Sequence, residues 1–274
     1  PEAAHAATGR GAHREAAALF AALQPYAERM APSKRALFYE QHSQACFLVN
    51  QGAGAVAMSE AAYQIWEQQA DALAMGRNLV RRSDILWVAH PMRLQKLRGI
   101  LPNAIRVLET LPPSQELALA YAAKAVLLGW EDHETAAALR MEAVRLAEAH
   151  GDVAALAEVL ERNALSEQMS YGLPTEETLE YLHRHSIATG NDRGILAAHH
   201  FRAVVWGRNR NLERFAAEID AGLRFAEERQ LDQFFRAQFL RMMATDIDLA
   251  GGDWAALERD LTRMLERADV PEGL

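Results

Sequence analysis

Residues Glu142 to Asp152 read EAVRLAEAHGD, an amphipathic run closed by His150, Gly151 and Asp152. Its core is a small residue followed by apolar, polar, apolar, any residue and glutamate. The same spacing recurs: Ala62 opens AYQIWE, Ala104 opens AIRVLE and Gly222 opens GLRFAE. A looser copy, ALQPYAE, begins at Ala22; another, MLERAD, begins at Met264, and a degenerate member lies near Leu182. The starts fall about 40 residues apart, a spacing that marks a stacked array of helical units. The small residue predicts close approach of neighbouring helices. The apolar residues one and three places on face the seam between hairpins, and the glutamate five places on is solvated.

Outward from this stretch the periodicity is helical almost throughout. In ELALAYAAKAVLLGW the positions Leu117, Ala120, Tyr121, Ala125 and Leu128 share one face. The following EDHETAAALRMEAVRLAEAHGD has a polar start and a closing Gly151, so the two segments form a helical hairpin. Helices are predicted over 11–29, 33–50, 55–73, 75–90, 92–110, 114–129, 133–150, 152–170, 175–189, 192–206, 210–229, 231–250 and 254–268. Breaks fall at APS, NQGAG, LPPS, YGLP, TGND and AGGD, where Pro and Gly punctuate the chain. Pro25 and Pro102 lie inside apolar-periodic segments, and Pro102 is read as the true break of the two. No alternating segment of strand length competes. The fold expected is all-α: a right-handed superhelical solenoid of about six or seven hairpins, one domain over 1–274, with residues 1–10 disordered.

Composition excludes several function classes. The net charge of −8 and the shortness of basic runs such as GRNLVRR argue against direct nucleic-acid binding, which needs a basic face. The single cysteine, Cys46, cannot form an intrachain disulfide and reads as a small buried apolar residue. No apolar run spans a membrane and no signal peptide opens the chain, which predicts a cytoplasmic protein. The chain begins with Pro1 rather than Met, as expected of an excised or processed piece.

Few residues group in a way that carries chemistry. His183 and His185 lie two apart, so on a helix they point about 200° from each other and do not share a metal ion. Of the adjacent His199 and His200, one is expected to face inward. Glu176 and Glu177, just after Pro174 and Thr175, suit a helix start, where negative charge is favoured. No nucleophile–base pair or metal set stands out, so neither catalysis, a cofactor nor a metal is expected. The first helix of each hairpin is the better candidate, because in such solenoids it lines the concave wall. There Arg81, Asp84, Trp87, Tyr121, Asn163, Gln168, Tyr171, His200 and Arg236 interrupt alanine-rich segments with residue types typical of binding grooves. Arg82, Lys124, Glu167, His199, Arg202, Gln233 and Arg241 lie on the same helices.

The repeats resemble tetratricopeptide-type repeats, with a unit longer than usual. GAHREAAALFAAL, LPPSQELALAYAAKAVLL and AVRLAEAHGDVAALAEVLERNAL further resemble the C-terminal helical region of large ATP-dependent LuxR-type (MalT-like) bacterial transcriptional regulators. That resemblance covers essentially the whole chain. It implies a non-catalytic sensor or interaction arm that binds a protein partner or a small effector. The chain has no G-x-x-x-x-G-K-[ST] phosphate loop and no helix-turn-helix end, so no ATPase or DNA-reading residue carries over. A stand-alone scaffold that grips peptides is the alternative. Oligomerisation is left open.

Overall fold

A computed structural model describes residues 2–89 and 94–251, together with Arg259 and Thr262. The described residues form α-helices and no strand. In chain order the helices are α1 (Glu2–Gly9), α2 (His13–Leu23), α3 (Pro32–Leu48), α4 (Gly52–Gln68), α5 (Ala72–Ala89), α6 (Leu94–Leu108) and α7 (Gln115–Leu128). They continue with α8 (His133–His150), α9 (Val153–Met169), α10 (Glu176–Thr189), α11 (Asp192–Arg208), α12 (Leu212–Glu228) and α13 (Phe235–Gly251). Apart from Arg259 and Thr262, the helix expected over 254–268 lies outside the described residues, as does the motif copy at Met264.

From α7 on, apart from α13, the helices start at side-chain caps. Ser114, Asp132, Asp152, Thr175, Asn191 and Asn211 each occupy an N-cap, their side-chain oxygens accepting backbone N–H groups of the first turn. Thr175 caps α10, and Glu176 and Glu177 fill its first turn as expected. At the other ends the chain turns through the left-handed region. Gly151 and Gly190 do so without strain, whereas Asn50, Ala70, Tyr171, Arg210 and Gln230 do so despite their side chains. A left-handed residue followed directly by a cap is thus the recurring connection, at Ala70–Asp71, Gly151–Asp152, Gly190–Asn191 and Arg210–Asn211.

Two proline expectations reverse. Pro102 lies inside α6, which continues to Leu108. Its ring is on the exposed side of the helix, where water can meet a carbonyl that has lost its N–H partner. Pro25 is the break instead: α2 ends at Leu23 and Gln24–Arg29 form a 3-10 turn. At the start of the described residues α1 packs through the fully buried Ala4 and Ala7, and His5 meets the Phe20 ring at 5.8 Å.

The recurring motif has the structural role its spacing predicts, with one shift. Ala62, Ala104, Ala143 and Gly222 are all buried, and so are the residues four places on: Trp66, Leu108, Ala147 and Ala226. The residues one and three places on are mixed, since i and i+4 rather than i and i+1 share a helix face. The closing glutamates Glu67, Glu109, Glu148 and Glu227 are exposed. A Cβ at Gly222 would lie 2.6 Å from Leu240 Cδ1 and 3.0 Å from His199 Cβ, so any larger residue would have to displace both side chains. Near the degenerate copy, Leu182 and Ser186 are buried, and the small residue comes from the facing helix. A Cβ on Gly194 would sit 2.2 Å from Ser186 Oγ. Ala22 is exposed, so the looser copy does not share this role.

Every described helix packs on its neighbour in sequence, and α5, α7, α9, α11 and α13 also touch one another in series. One core cluster runs through α5 to α9, and a second joins α9, α10 and α11. A third does something less local. It joins Cys46, Phe47 and Leu48 of α3, Ala55 of α4 and Ile85 of α5 to α11, α12 and α13. Phe47 meets Phe234 edge-on at 5.4 Å, and His13 Nε2 lies 3.0 Å from Asp192 Oδ2 with both side chains buried. The early helices therefore close against the late ones. Cys46 sits in this seam, 3% exposed, and burial pushes its thiol up to about 11.

Candidate functional site

Closure of the chain brings charged residues together at its centre. Glu161 of α9 accepts from Arg193 Nε and from Arg236 Nη2, each at 2.8 Å, and its side chain is 3% exposed. Asp84 of α5 accepts from Arg162 Nη2 and, at 3.4 Å, from Arg193 Nη1. Arg162 also reaches the Glu158 carboxylate at 3.5 Å. Arg236 Nη1 lies 3.1 Å from His200 Nδ1, and its guanidinium sits 4.8 Å from the Phe201 ring. Three arginines thus face three carboxylates across α5, α9, α11 and α13, so the formal charges cancel.

The electrostatics follow from this pairing. Burial alone would raise the Glu161 carboxyl, but Arg193, Arg236 and Arg162 outweigh it and hold it down at about 2. Burial, and then the Arg236 charge, push His200 down to about 3, so its ring is neutral. A neutral imidazole accepts the Arg236 N–H through Nδ1. The arrangement is a structural network of charges paired with one another, in which Arg162 Nε and Arg236 Nε stay buried without a hydrogen-bond partner.

The nominated residues divide accordingly. Asp84, His200 and Arg236 meet in this network. Asn163 is buried beside it, yet its Nδ2 donates to the Arg140 carbonyl. Tyr121 is turned away and donates to Glu109 at 3.0 Å; burial first, then that bond, push its hydroxyl up to about 12. Trp87 leans on the half-exposed Trp130 at 5.9 Å. Tyr171, 74% exposed, meets the His133 ring edge-on at 6.4 Å. Gln168 is half-buried and Arg81 exposed. The nine do not form one lining.

An open concavity lies elsewhere, between α10, α11 and α12. It is a cleft of about 290 Å³ with Leu179, Val205 and Ala217 among its apolar lining. Glu176 and Glu180 come from α10, Arg202 and Trp206 from α11, and Arg214 and Glu218 from α12. Arg202 is anchored: it donates to Glu180, lies 4.0 Å from Glu218, and has His183 Nδ1 3.4 Å away. His199 Nδ1 is 2.8 Å from Glu218 Oε2. Burial would raise the Glu218 carboxyl, but His199 and Arg202 hold it low. His183 is lowered by burial and by the neighbouring Arg202 and His199 charges. His183 and His185 diverge as their spacing requires: His185 stacks on Tyr181 at 3.7 Å, while His183 faces His199. Among the described residues no group of three or more His, Cys, Asp or Glu side chains is placed to hold a metal ion.

Sequence reasoning missed both the anchor of the central network and most of the cleft. Glu161 carried a signal, since it lies four residues after Ala157 and three before Ala164, both fully buried. A charge on an apolar face asks for buried partners. Trp206 and Arg214 carried none, because they lie on different helices and only the fold joins them. A scan of the sequence against protein-family models gives no match, and a search of curated proteins gives no significant relative.

Proposed function

We propose that this chain is a non-catalytic recognition module, a tightly curled right-handed solenoid of helical hairpins that binds its ligand in the cleft between α10, α11 and α12. One observation carries this reading: the ion pairs at the centre are buried, while those of the cleft stand around a concavity open to solvent, with Trp206 and the Glu176 and Glu180 carboxylates in its lining. Pre-set polar groups around a small apolar floor are the usual form of a specific binding site. The resemblance to the helical region of LuxR-type regulators supports a sensor arm, in which a protein partner or small effector would bias a switch elsewhere. Such a bias needs different affinities for two states.

A thermal-shift screen of peptides and metabolites tests it, run in parallel on the parent chain and on Trp206→Ala. Ligands that stabilise the parent and not the variant are the expected result. Hits that stabilise both proteins equally would move recognition away from this cleft. Turnover of any compound by the purified chain would defeat the non-catalytic reading.

A further inference from the structure

The cleft already holds a cation of the chain's own. The Arg214 guanidinium lies 4.5 Å from the Trp206 ring centroid, and its Nη1 is 3.9 Å from Glu176 Oε1. It is loosely held: the Arg214 and Glu176 side chains are 59% and 73% exposed, and their separation exceeds a hydrogen bond. Arg202, at 15% exposed, is by contrast built into the wall through Glu180 and Glu218. One arginine belongs to the cleft; the other occupies it.

The backbone at position 214 does not itself call for arginine. It lies in the first turn of α12, where the helix dipole disfavours a cation. The bond from its backbone N–H to Asn211 is one that any residue but proline makes. With Arg214 turned out, three lining carboxylates (Glu176, Glu180, Glu218) face one lining arginine (Arg202), a formal charge of −2 beside an uncovered indole. A planar guanidinium satisfies both features at once, stacking on the ring while its edge meets carboxylates; an ammonium does so less well.

Resting on the reading of this cleft as the recognition site, we propose that it takes the arginine side chain of a partner peptide, with Arg214 as an intramolecular placeholder. The incoming guanidinium stacks on Trp206, takes Glu176 and Glu180 as its carboxylate partners, and displaces Arg214 into solvent.

Fluorescence polarisation at low ionic strength tests this with labelled five-residue glycine–serine peptides carrying arginine, lysine or citrulline at the centre. Citrulline keeps the shape and loses the charge. The parent should bind the arginine peptide, the lysine peptide more weakly, and the citrulline peptide not measurably. Arg214→Ala should bind the arginine peptide about three- to tenfold more tightly, because the competing occupant is gone. Adding Glu180→Gln should reverse most of that gain; both side chains are largely exposed, so these variants fold even if Trp206→Ala does not. Equal binding of arginine and citrulline peptides, no gain in Arg214→Ala, or no binding by either protein overturns the proposal. If the thermal-shift screen then yields neutral or anionic ligands that depend on Trp206, recognition in the cleft stands and the cationic ligand fails. If it yields none, both fail.

Discussion

Glu161 takes charged hydrogen bonds from two arginines in a setting almost closed to water. Such a pair is weak evidence of net stabilisation, since desolvating the ions offsets their attraction, but removing one partner strands the other. Glu161→Gln should therefore cost roughly 3–5 kcal/mol in urea denaturation, well above a typical surface substitution. A loss below about 1 kcal/mol would mean that water already serves Arg193 and Arg236. His200 makes the second prediction. Its folded value is depressed from 6.5 to about 3, so the stability of its neutral form is complete above 6.5 and drains away as pH falls toward 3. Each pH unit in that window should remove about 1.4 kcal/mol through this ring. Between pH 5.5 and 4.5 the parent should lose more stability than His200→Asn by about that amount; parallel losses would place the protonation elsewhere. At this scale the sequence was half legible. Asp84, His200 and Arg236 stood out because polar groups interrupted alanine-rich helices, yet the inference that they faced a ligand needed a curvature that no residue type encodes. Their partners proved to be Glu161, Arg162 and Arg193.

At the scale of the helix, legibility was much greater, because start and stop signals are local chemistry. Asp132, Asp152, Thr175, Asn191 and Asn211 cap where a polar oxygen precedes an apolar-periodic run. Pro25 and Pro102 show the limit: both sat in periodic segments and both are exposed, yet one lies in the turn that follows a helix and the other inside one. The left-handed turns carry a prediction. Ala70 and Gln230 have φ of 53° and 55°, and a side chain there costs roughly 1 kcal/mol that glycine avoids. Ala70→Gly and Gln230→Gly should each raise the stability to urea by about that much, against the usual penalty of adding glycine. Destabilisation by either would show that the Cβ makes a contact outweighing the strain.

For the molecule as a whole, the period of about 40 residues was enough to expect stacked helices, but closure was not in it. Closure rests on contacts more than 100 residues apart, such as Asp84 with Arg193, His13 with Asp192 and Phe47 with Phe234. In an open array, units unfold with their nearest neighbours and the ends fray independently. Here α3 should share its opening with α12 and α13. Phe47→Ala removes one side of the Phe234 contact and should cost about 3–5 kcal/mol. Native-state hydrogen exchange should then show protection falling in α3, α12 and α13 together; a fall confined to α3 would show that the seam does not couple them. The same seam has a consequence for length. An open array can gain or lose a unit and remain whole, because every interface is local. In this chain an extra helical pair between α5 and α11 would carry Asp84 away from Arg193 and Phe47 away from Phe234. The fold counts its own helices, so relatives that keep this seam will differ in residues and loops before they differ in helix number.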